Sequence, residues 1–549
     1  MLPIWVADSE TDPFEPGLIV EPFIWGVYNG SEYHEFAETK DFVEFVREKE
    51  IILYAHNGGK FDWHFISEWF EPMEPILVIA GRLSRFKIGK CEFRDSINIY
   101  NKPLSAYQKD VFDYNKMDRR HRHKYMPEIR KYLKSDCVYL YQLVTGFIDL
   151  YGLHITQASA AMDWWKKTTD EPVPRSDMYF YNDFSRFYFG GRVQCFEQGD
   201  IEVEALSIDI NSAYPEAMKH KHPYGLHYVE GAGKPRKGKK HWGPMFFDIE
   251  CIGKGAFCYR GTNGTLYYPD DDTIRIYHVT GWELLAALET KTVSDLKFLM
   301  HYEFIDLKDF SPYINYFWDE RLKSKAEGDN HASDFHKVMM NALYGKFASN
   351  PDKYKNHVLV NKEEFYSEGI KHLEDGETWR DFREWVVVSL NQKDRTKGYY
   401  NLATAASITG FVRAKLWRAI CSSERPMYCD TDSITAIGFD KSVTLGAQIG
   451  EWEIEYHYDR VIICGKKLYA FRSPDGHWKV ASKGARLNHK DLIRIGAGKT
   501  VLYKSEAPTF SVSKSEPTFI NREIKATAGD SRIVPRKYDP LYSEEKDHV

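Results

Sequence analysis

The sequence predicts a multidomain chain of α/β and α+β character. Three observations carry that reading. Its 549 residues exceed what one hydrophobic core usually serves. Its first third sets short apolar runs, each leading into acidic residues, against a later amphipathic helix. Its second half places two lysine-bearing helical patterns before a β-prone segment with paired aspartates. Apolar residues make up 43% and charged residues 28%, the balance of a chain with a sizeable core. A net charge of −6 argues against a nonspecific nucleic-acid coat. It does not exclude a nucleic-acid enzyme, whose carboxylates offset local basic patches. Eight scattered cysteines lack C-x-x-C spacing and read as reduced thiols, not as a zinc site or disulfide framework. The start, MLPIWVADSE, turns acidic too early for a signal peptide. No apolar run nears the ~20 residues that span a bilayer.

In the first third, residues 3–7 (PIWVA) read as a buried strand that delivers Asp8 and Glu10 to one face. The run Ile51–Ala55 leads into HNGGKFDWHF. There Asn57, Phe61 and Asp62 sit on a Gly-rich turn running towards a helix, and Gly58 and Gly59 permit close backbone approach. Residues 131–144 read as a helix through Leu133, Val138, Leu140 and Leu143, with Tyr132 and Asp136 on one face. Asp8, Glu10, Asp62 and Asp136 together supply four carboxylates suited to two divalent ions about 4 Å apart, with Tyr132 orienting a water. Residues 116–134 carry eight Lys/Arg against two acids, either a phosphate surface or a solvated face. Residues 170–183 read as a domain junction.

Further along, Tyr188-Phe189-Gly190-Gly191 reads by itself as a Gly-Gly bulge in a strand. The strand Leu206–Ile210 presents Asp209, and Ser212-Ala213-Tyr214-Pro215 turns away into a helix. A long insertion follows, holding the basic run GKPRKGKKHW. Two helical patterns then flank a polar turn at Glu327–Asn330. Arg321 and Lys325 share a face of the first, and Lys337, Asn341 and Tyr344 form a stripe on the second. Such a cationic arrangement suits a triphosphate. The helix ATAASITGFVRAKLWRAI carries Thr409 and Arg413. In YCDTDSI, Asp430 and Asp432 at i and i+2 project from one strand face, with Thr431 opposite. Like charges so placed need a cation, and hard divalent ions prefer these oxygens. Lys467-Leu468-Tyr469 follows.

In this order the segments resemble the Exo I, Exo II and Exo III motifs, then Y-x-G-G, motifs A, B and C, and K-x-Y of family B DNA polymerases. The resemblance is closest to the protein-primed members of linear-genome bacteriophages, of tectivirus-like type. It implies a DnaQ-like (RNase H-like) 3′–5′ exonuclease domain at 1–187, then a right-hand polymerase. That part would comprise palm at 188–219, an insertion contacting terminal protein and DNA at 220–318, and fingers at 319–350. A second insertion for strand displacement and processivity at 351–399, palm again at 400–470 and a thumb at 471–549 would complete it.

The resemblance implies Asp209, Asp430 and Asp432 as polymerase carboxylates, with metal on Asp209, the Ile210 carbonyl and Asp432. Whether Asp430 binds metal directly is open. It implies Asp8, Glu10, Asp62 and Asp136 as metal-holding exonuclease carboxylates, assisted by Tyr132 and Lys109, with Lys116 a nearby rival for Lys109. Tyr214, Arg321, Lys325, Lys337, Asn341 and Tyr344 would bind the nucleotide, Tyr214 also rejecting a 2′-hydroxyl. Thr11, His56, Asn57, Phe61, Tyr188, Gly190, Gly191, Thr409, Arg413, Lys467 and Tyr469 would contact DNA, although Val412 departs from the T-x-x-G-R pattern. The implied cofactor is Mg²⁺, two ions per site, with Mn²⁺ able to substitute. The implied partners are DNA template and primer, dNTPs, a terminal protein as primer and a single-stranded DNA-binding protein. The chain would act as a monomer, away from membranes, in the cytoplasm of an infected bacterial host. Rival readings are a primer-independent or DNA-primed polymerase of the same family, and an inactive DNA-binding replication factor.

Overall fold

The computed structural model describes residues 2–527, apart from 16–19, 170–171, 263, 351–354, 369, 371–372, 392–400, 483 and 515. The C-terminal YSEEKDHV and parts of the second insertion and of the 170–183 junction lie outside the described residues.

The apolar strand Ile4–Thr11 forms because its flanks are covered on both faces. It pairs antiparallel with Pro22–Tyr28 and parallel with Ile52–Ala55, which pairs parallel with Cys91–Asp95. Helix Met126–Tyr151 packs over these strands and buries Leu133, Cys137, Leu140 and Val144. HNGGKFDWHF forms consecutive 3-10 turns, Gly58–Lys60 and Asp62–His64, where the sequence predicts a run into a longer helix. The sheet has ten strands, and three of them, Asn356–Asn361, Thr378–Phe382 and Trp385–Leu390, come from the predicted second insertion. His357 and Val358 pair with Ile76 and Pro75, and Trp385 Nε1 donates to the Ser67 carbonyl at 2.7 Å.

A second, seven-stranded antiparallel sheet runs in the order Trp478–Ser482, Leu468–Arg472, Trp452–Gly465, Gly199–Ile210, Ser433–Ala436, Pro426–Thr431, Arg192–Cys195. Helix Leu402–Cys421, buried almost all round, lies against it. The sheet continues to Ser482, beyond the predicted boundary at 470, because turns at Lys467 and at Ser473–His477 return the chain into the ladder as two successive hairpins. Leu492 and Ile495 of helix His489–Gly496 then pack on Ile462, Cys464 and Leu468 of this sheet. Helices Ser311–Ala326 and Asn330–Phe347 pair with each other, and Gln157–Thr168 packs on the second. Residues 228–304 supply a separate four-stranded sheet.

Candidate catalytic sites

The strand Ile4–Thr11 delivers Asp8 and Glu10 to helix Met126–Tyr151, which contributes Asp136. One oxygen from each of these three carboxylates lies within 4.8 Å of the others. Glu10 Oε1 and Asp136 Oδ1 are buried with no hydrogen-bond partner. Buried acceptors of this kind are costly unless a cation or water meets them. Burial, then the surrounding carboxylates, pushes Asp8 and Glu10 well above the ordinary carboxylate range. Asp62 comes from the turn Asp62–His64, where Ser9 Oγ donates to its Oδ1 at 2.6 Å. Burial raises Asp62 to about 6.

Lys109 Nζ stands 3.1 Å from Asp136 Oδ2, whereas Lys116 is occupied by Glu128 at 2.6 Å. Lys109 is thus the lysine brought to the cluster. Burial opposes its charge, but Asp136 and Asp8 outweigh burial and raise its pKa. The Tyr132 hydroxyl shares a 2.9 Å hydrogen bond with Tyr114, and its ring stacks on Phe112 at 4.5 Å. Phe61 stands edge-on to Phe14, Phe65 and Phe510, while Thr11 is buried at the strand end.

The second sheet brings Asp209, Asp430 and Asp432 together, but not along one strand. Asp430 pairs with Ser433, so Thr431 and Asp432 form a tight hairpin turn with Thr431 at φ +64°. The i, i+2 strand geometry predicted from YCDTDSI is therefore replaced by a turn. Ser433 pairs with Asp209, and the Ile210 N–H donates to the Asp432 carbonyl at 2.9 Å. Burial and Asp432 raise Asp209 to about 7, and burial raises Asp432 to about 6. Asp430 is met by Lys467 Nζ at 2.9 and 2.8 Å. The Tyr428 hydroxyl accepts from the Lys467 N–H at 3.0 Å, fixing that lysine's turn, and Tyr469 packs on Tyr428.

Ser212, at φ +54°, starts helix Ala213–Met218 and aims Tyr214 onto Tyr344, with rings stacked 4.2 Å apart. Lys337 and Asn341 occupy successive turns of Asn330–Phe347, and Asn341 Nδ2 donates to the Lys337 carbonyl at 2.8 Å. Lys325 is exposed on the neighbouring helix, and Arg321 lies half-buried over Trp318. Gly191 permits a close approach of strands: a Cβ there would meet Thr431 Cγ2 at 2.7 Å, whereas Gly190 faces open space. Tyr188 is half-buried beside them.

With two carboxylate centres and a cationic helix pair in hand, comparison with known proteins is decisive. Residues 93–396 match the family described as DNA polymerase type B, organellar and viral. The DNA-directed DNA polymerase of Enterobacteria phage PRD1 is 33% identical over 95% of this chain and 97% of its own. The chain belongs to the type B DNA polymerases. The DNA polymerase of Bacillus phage phi29 is 24% identical over 80% of this chain and 81% of its own. Its orthorhombic crystal form has a TM-score of 0.73 at 19% identity, covering 95% of this chain and 99% of that one. The phi29 complex with primer-template DNA and incoming nucleotides also gives 0.73, at 18% identity, covering 96% and 100%. This polymerase therefore shares, over 95% of its length, the phi29 fold of exonuclease domain, palm, fingers and thumb. Among the described residues, no helix is long and apolar enough to cross a membrane.

Three residues predicted to touch DNA are turned inward in the polymerase. Arg413 is buried and forms a two-pronged ion pair with Glu283 at 2.7 and 3.0 Å. It also donates to the Phe189 and Gly190 carbonyls and to Thr409 Oγ1. Thr409 is buried and donates to the Ala406 carbonyl at 3.2 Å. The pair tethers the Y-x-G-G segment to the helix. His56 spends both ring nitrogens on Ser96 Oγ and the Lys102 carbonyl, each at 2.9 Å, and burial lowers its pKa to about 4. Part of the basic run 116–134 pairs with the chain's own acid: Arg119, which is exposed, and Arg122, which is half-buried, both meet Asp12.

Sequence reasoning also missed residues. Asp95 accepts from the Gly59 N–H at 3.0 Å and from Arg82 at 2.8 Å, and Arg82 also donates to Asn57 Oδ1 at 2.6 Å. This clamp holds Asn57 at φ +66° and shapes the turn that carries Asp62. Its signal was an aspartate closing the strand Cys91–Asp95. Glu455, paired with Lys479 at 2.8 Å, presses on both Asp209 and Asp432. The alternation in WEIEY was its only trace.

Proposed function

We propose that this polymerase replicates a linear viral genome by protein priming, with 3′–5′ proofreading at a second centre. The observation that carries the two-activity reading is the pair of carboxylate clusters on two separate sheets. The first buries Glu10, Asp62 and Asp136, the second half-buries Asp209 and Asp432, and all five carboxyls are raised above the ordinary range. Both donor sets are carboxylates, without histidine or cysteine, which fits Mg²⁺, with Mn²⁺ as a substitute. Asp209, the Ile210 carbonyl and Asp432 would hold ions in the palm; Asp8, Glu10, Asp62 and Asp136 would hold them in the exonuclease domain. When bound, paired divalent ions neutralise these acids and promote in-line transfer at phosphorus.

The protein's own groups do the rest. Lys467 neutralises Asp430 and turns the K-x-Y segment, with Tyr469, towards the primer strand. Lys325, Lys337 and Arg321 bind the triphosphate and stabilise the departing pyrophosphate. Asn341 and Tyr344 pack on the nascent pair, and Tyr214 walls off a ribose 2′-hydroxyl. Tyr188, Gly190 and Gly191 guide template. In the exonuclease domain, Tyr132 orients the attacking water, Lys109 steadies the scissile phosphate, and Thr11, Asn57 and Phe61 grip the single-stranded end. The first nucleotide goes onto a hydroxyl of a terminal protein: its oxygen attacks the α-phosphate, the P–O bond to pyrophosphate breaks, and pyrophosphate leaves. The insertion at 220–318 is the surface for that protein, and the one at 351–399 serves strand displacement. A single-stranded DNA-binding protein covers the displaced strand, and the enzyme works as a monomer in the cytoplasm of an infected bacterium.

The test is labelling of the protein encoded beside the polymerase gene. Enzyme, Mg²⁺ and a radioactive dNTP should leave label on that protein through a denaturing gel. Efficient primer extension with no labelled protein would favour a DNA-primed enzyme. Product from bare single-stranded template would favour a primer-independent one.

A further inference from the structure

One face of the nucleotide-binding helix does not belong to the polymerase domain alone. Asp334 lies one turn before Lys337 on Asn330–Phe347, so their side chains emerge on the same side. Lys102, from the exonuclease domain, places Nζ 2.7 Å from Asp334 Oδ2. A cavity of about 240 Å³ opens between them, lined by Asn101, Lys102, Gln157, Asp334, Lys337 and Asn341. The backbone around Lys102 is held: its carbonyl accepts from His56, and Gln157 Nε2 donates to the Ile99 carbonyl at 3.0 Å. The Tyr107 ring packs at a tilt on His331, centroids 4.0 Å apart, seating the same loop on the start of the helix.

Asp334 is an awkward residue for this position. It sets a negative charge among the cations that must receive a polyanion, and its field reaches Arg321 on the paired helix. Lys102 and Asp334 are each only partly buried, so their pairing adds little to fold stability. Its larger consequence is electrostatic.

We propose that Lys102 is a positioning residue of the polymerase nucleotide site: it neutralises Asp334 and so lets an incoming dNTP triphosphate settle against Lys337. The inference rests on the reading of Asn330–Phe347 as the nucleotide-binding helix. It makes the exonuclease domain part of the polymerase's substrate pocket.

The test is single-nucleotide extension of a primer-template by the full-length enzyme in Mg²⁺. Lys102→Met should raise KM for the correct dNTP roughly threefold to tenfold, the effect of one partly screened charge, with little change in kcat. Asp334→Asn should not raise KM. The Lys102→Met/Asp334→Asn double variant should return KM to the wild-type value, and single-stranded DNA degradation should be unchanged throughout. A mere domain tether would make both single variants and the double variant equally defective, and that result overturns the proposal, as does an unchanged KM in Lys102→Met. Lys337→Ala separates the two levels. A raised KM there with Lys102→Met unaffected defeats only the role of Lys102, whereas an unaffected KM in Lys337→Ala defeats the helix assignment as well.

Discussion

Asp209 and Asp432 sit in the folded protein at about 7 and about 6, against 3.8 for an ordinary aspartate. A raised carboxylate pKa means that the folded state holds protons the unfolded state has released. These two groups therefore favour folding at low pH, and that contribution is lost as pH rises from about 4 through about 7. Metal-free enzyme should show a falling Tm across this window, and Mg²⁺ should raise Tm more at the alkaline end. Asp209→Asn should flatten both dependences in calorimetry; an identical pH slope in that variant would contradict the assignment. Arg413 makes a second expectation at this scale. Leaving Glu283 buried without its partner costs about 3–5 kcal/mol. Arg413→Met should therefore unfold well below wild type, and Arg413→Met/Glu283→Leu should recover much of the loss. A normal Tm with weakened DNA binding would instead favour the template role.

At the scale of elements, the Thr431–Asp432 turn depends on Gly191. Gly191→Ala drives a methyl group into Thr431 and should displace the hairpin that carries Asp432. Extension should fall at least tenfold, degradation of single-stranded DNA should persist, and Thr431→Gly in the same chain should restore part of the extension. Equal loss of both activities would mean general misfolding. This turn also marks where the sequence ran out. Alternation of apolar residues made the strands around Asp209 and Asp430 legible, and four-residue spacing made Tyr132 and Asp136 legible on one helix. A straight strand and a hairpin share the pattern D-T-D, and only the cross-strand partners, Ser433 and Val193, distinguish them. The inward packing of Thr409 and Arg413 was illegible for a related reason. Helical spacing gives a face, but the neighbour covering that face is Glu283, 130 residues away in sequence.

At the scale of the molecule, the order of motifs made the fold class legible, whereas the long-range contacts left no local signature. The strands Asn356–Asn361 and Trp385–Leu390 complete a sheet begun at Ile4, and Phe510 reaches the ring of Phe61. Lys102 likewise reaches across the chain to Asp334 on helix Asn330–Phe347. Despite these contacts, the two carboxylate clusters belong to different sheets, and on the reading proposed above they perform separate reactions. The direct measurement is to assay purified Asp8→Ala and Asp432→Ala side by side on one labelled primer-template, with and without dNTPs. Asp8→Ala should extend the primer normally and no longer shorten it, while Asp432→Ala should shorten it and no longer extend it. Loss of both activities in each folded variant, or extension undiminished in Asp432→Ala, would contradict the two-centre account.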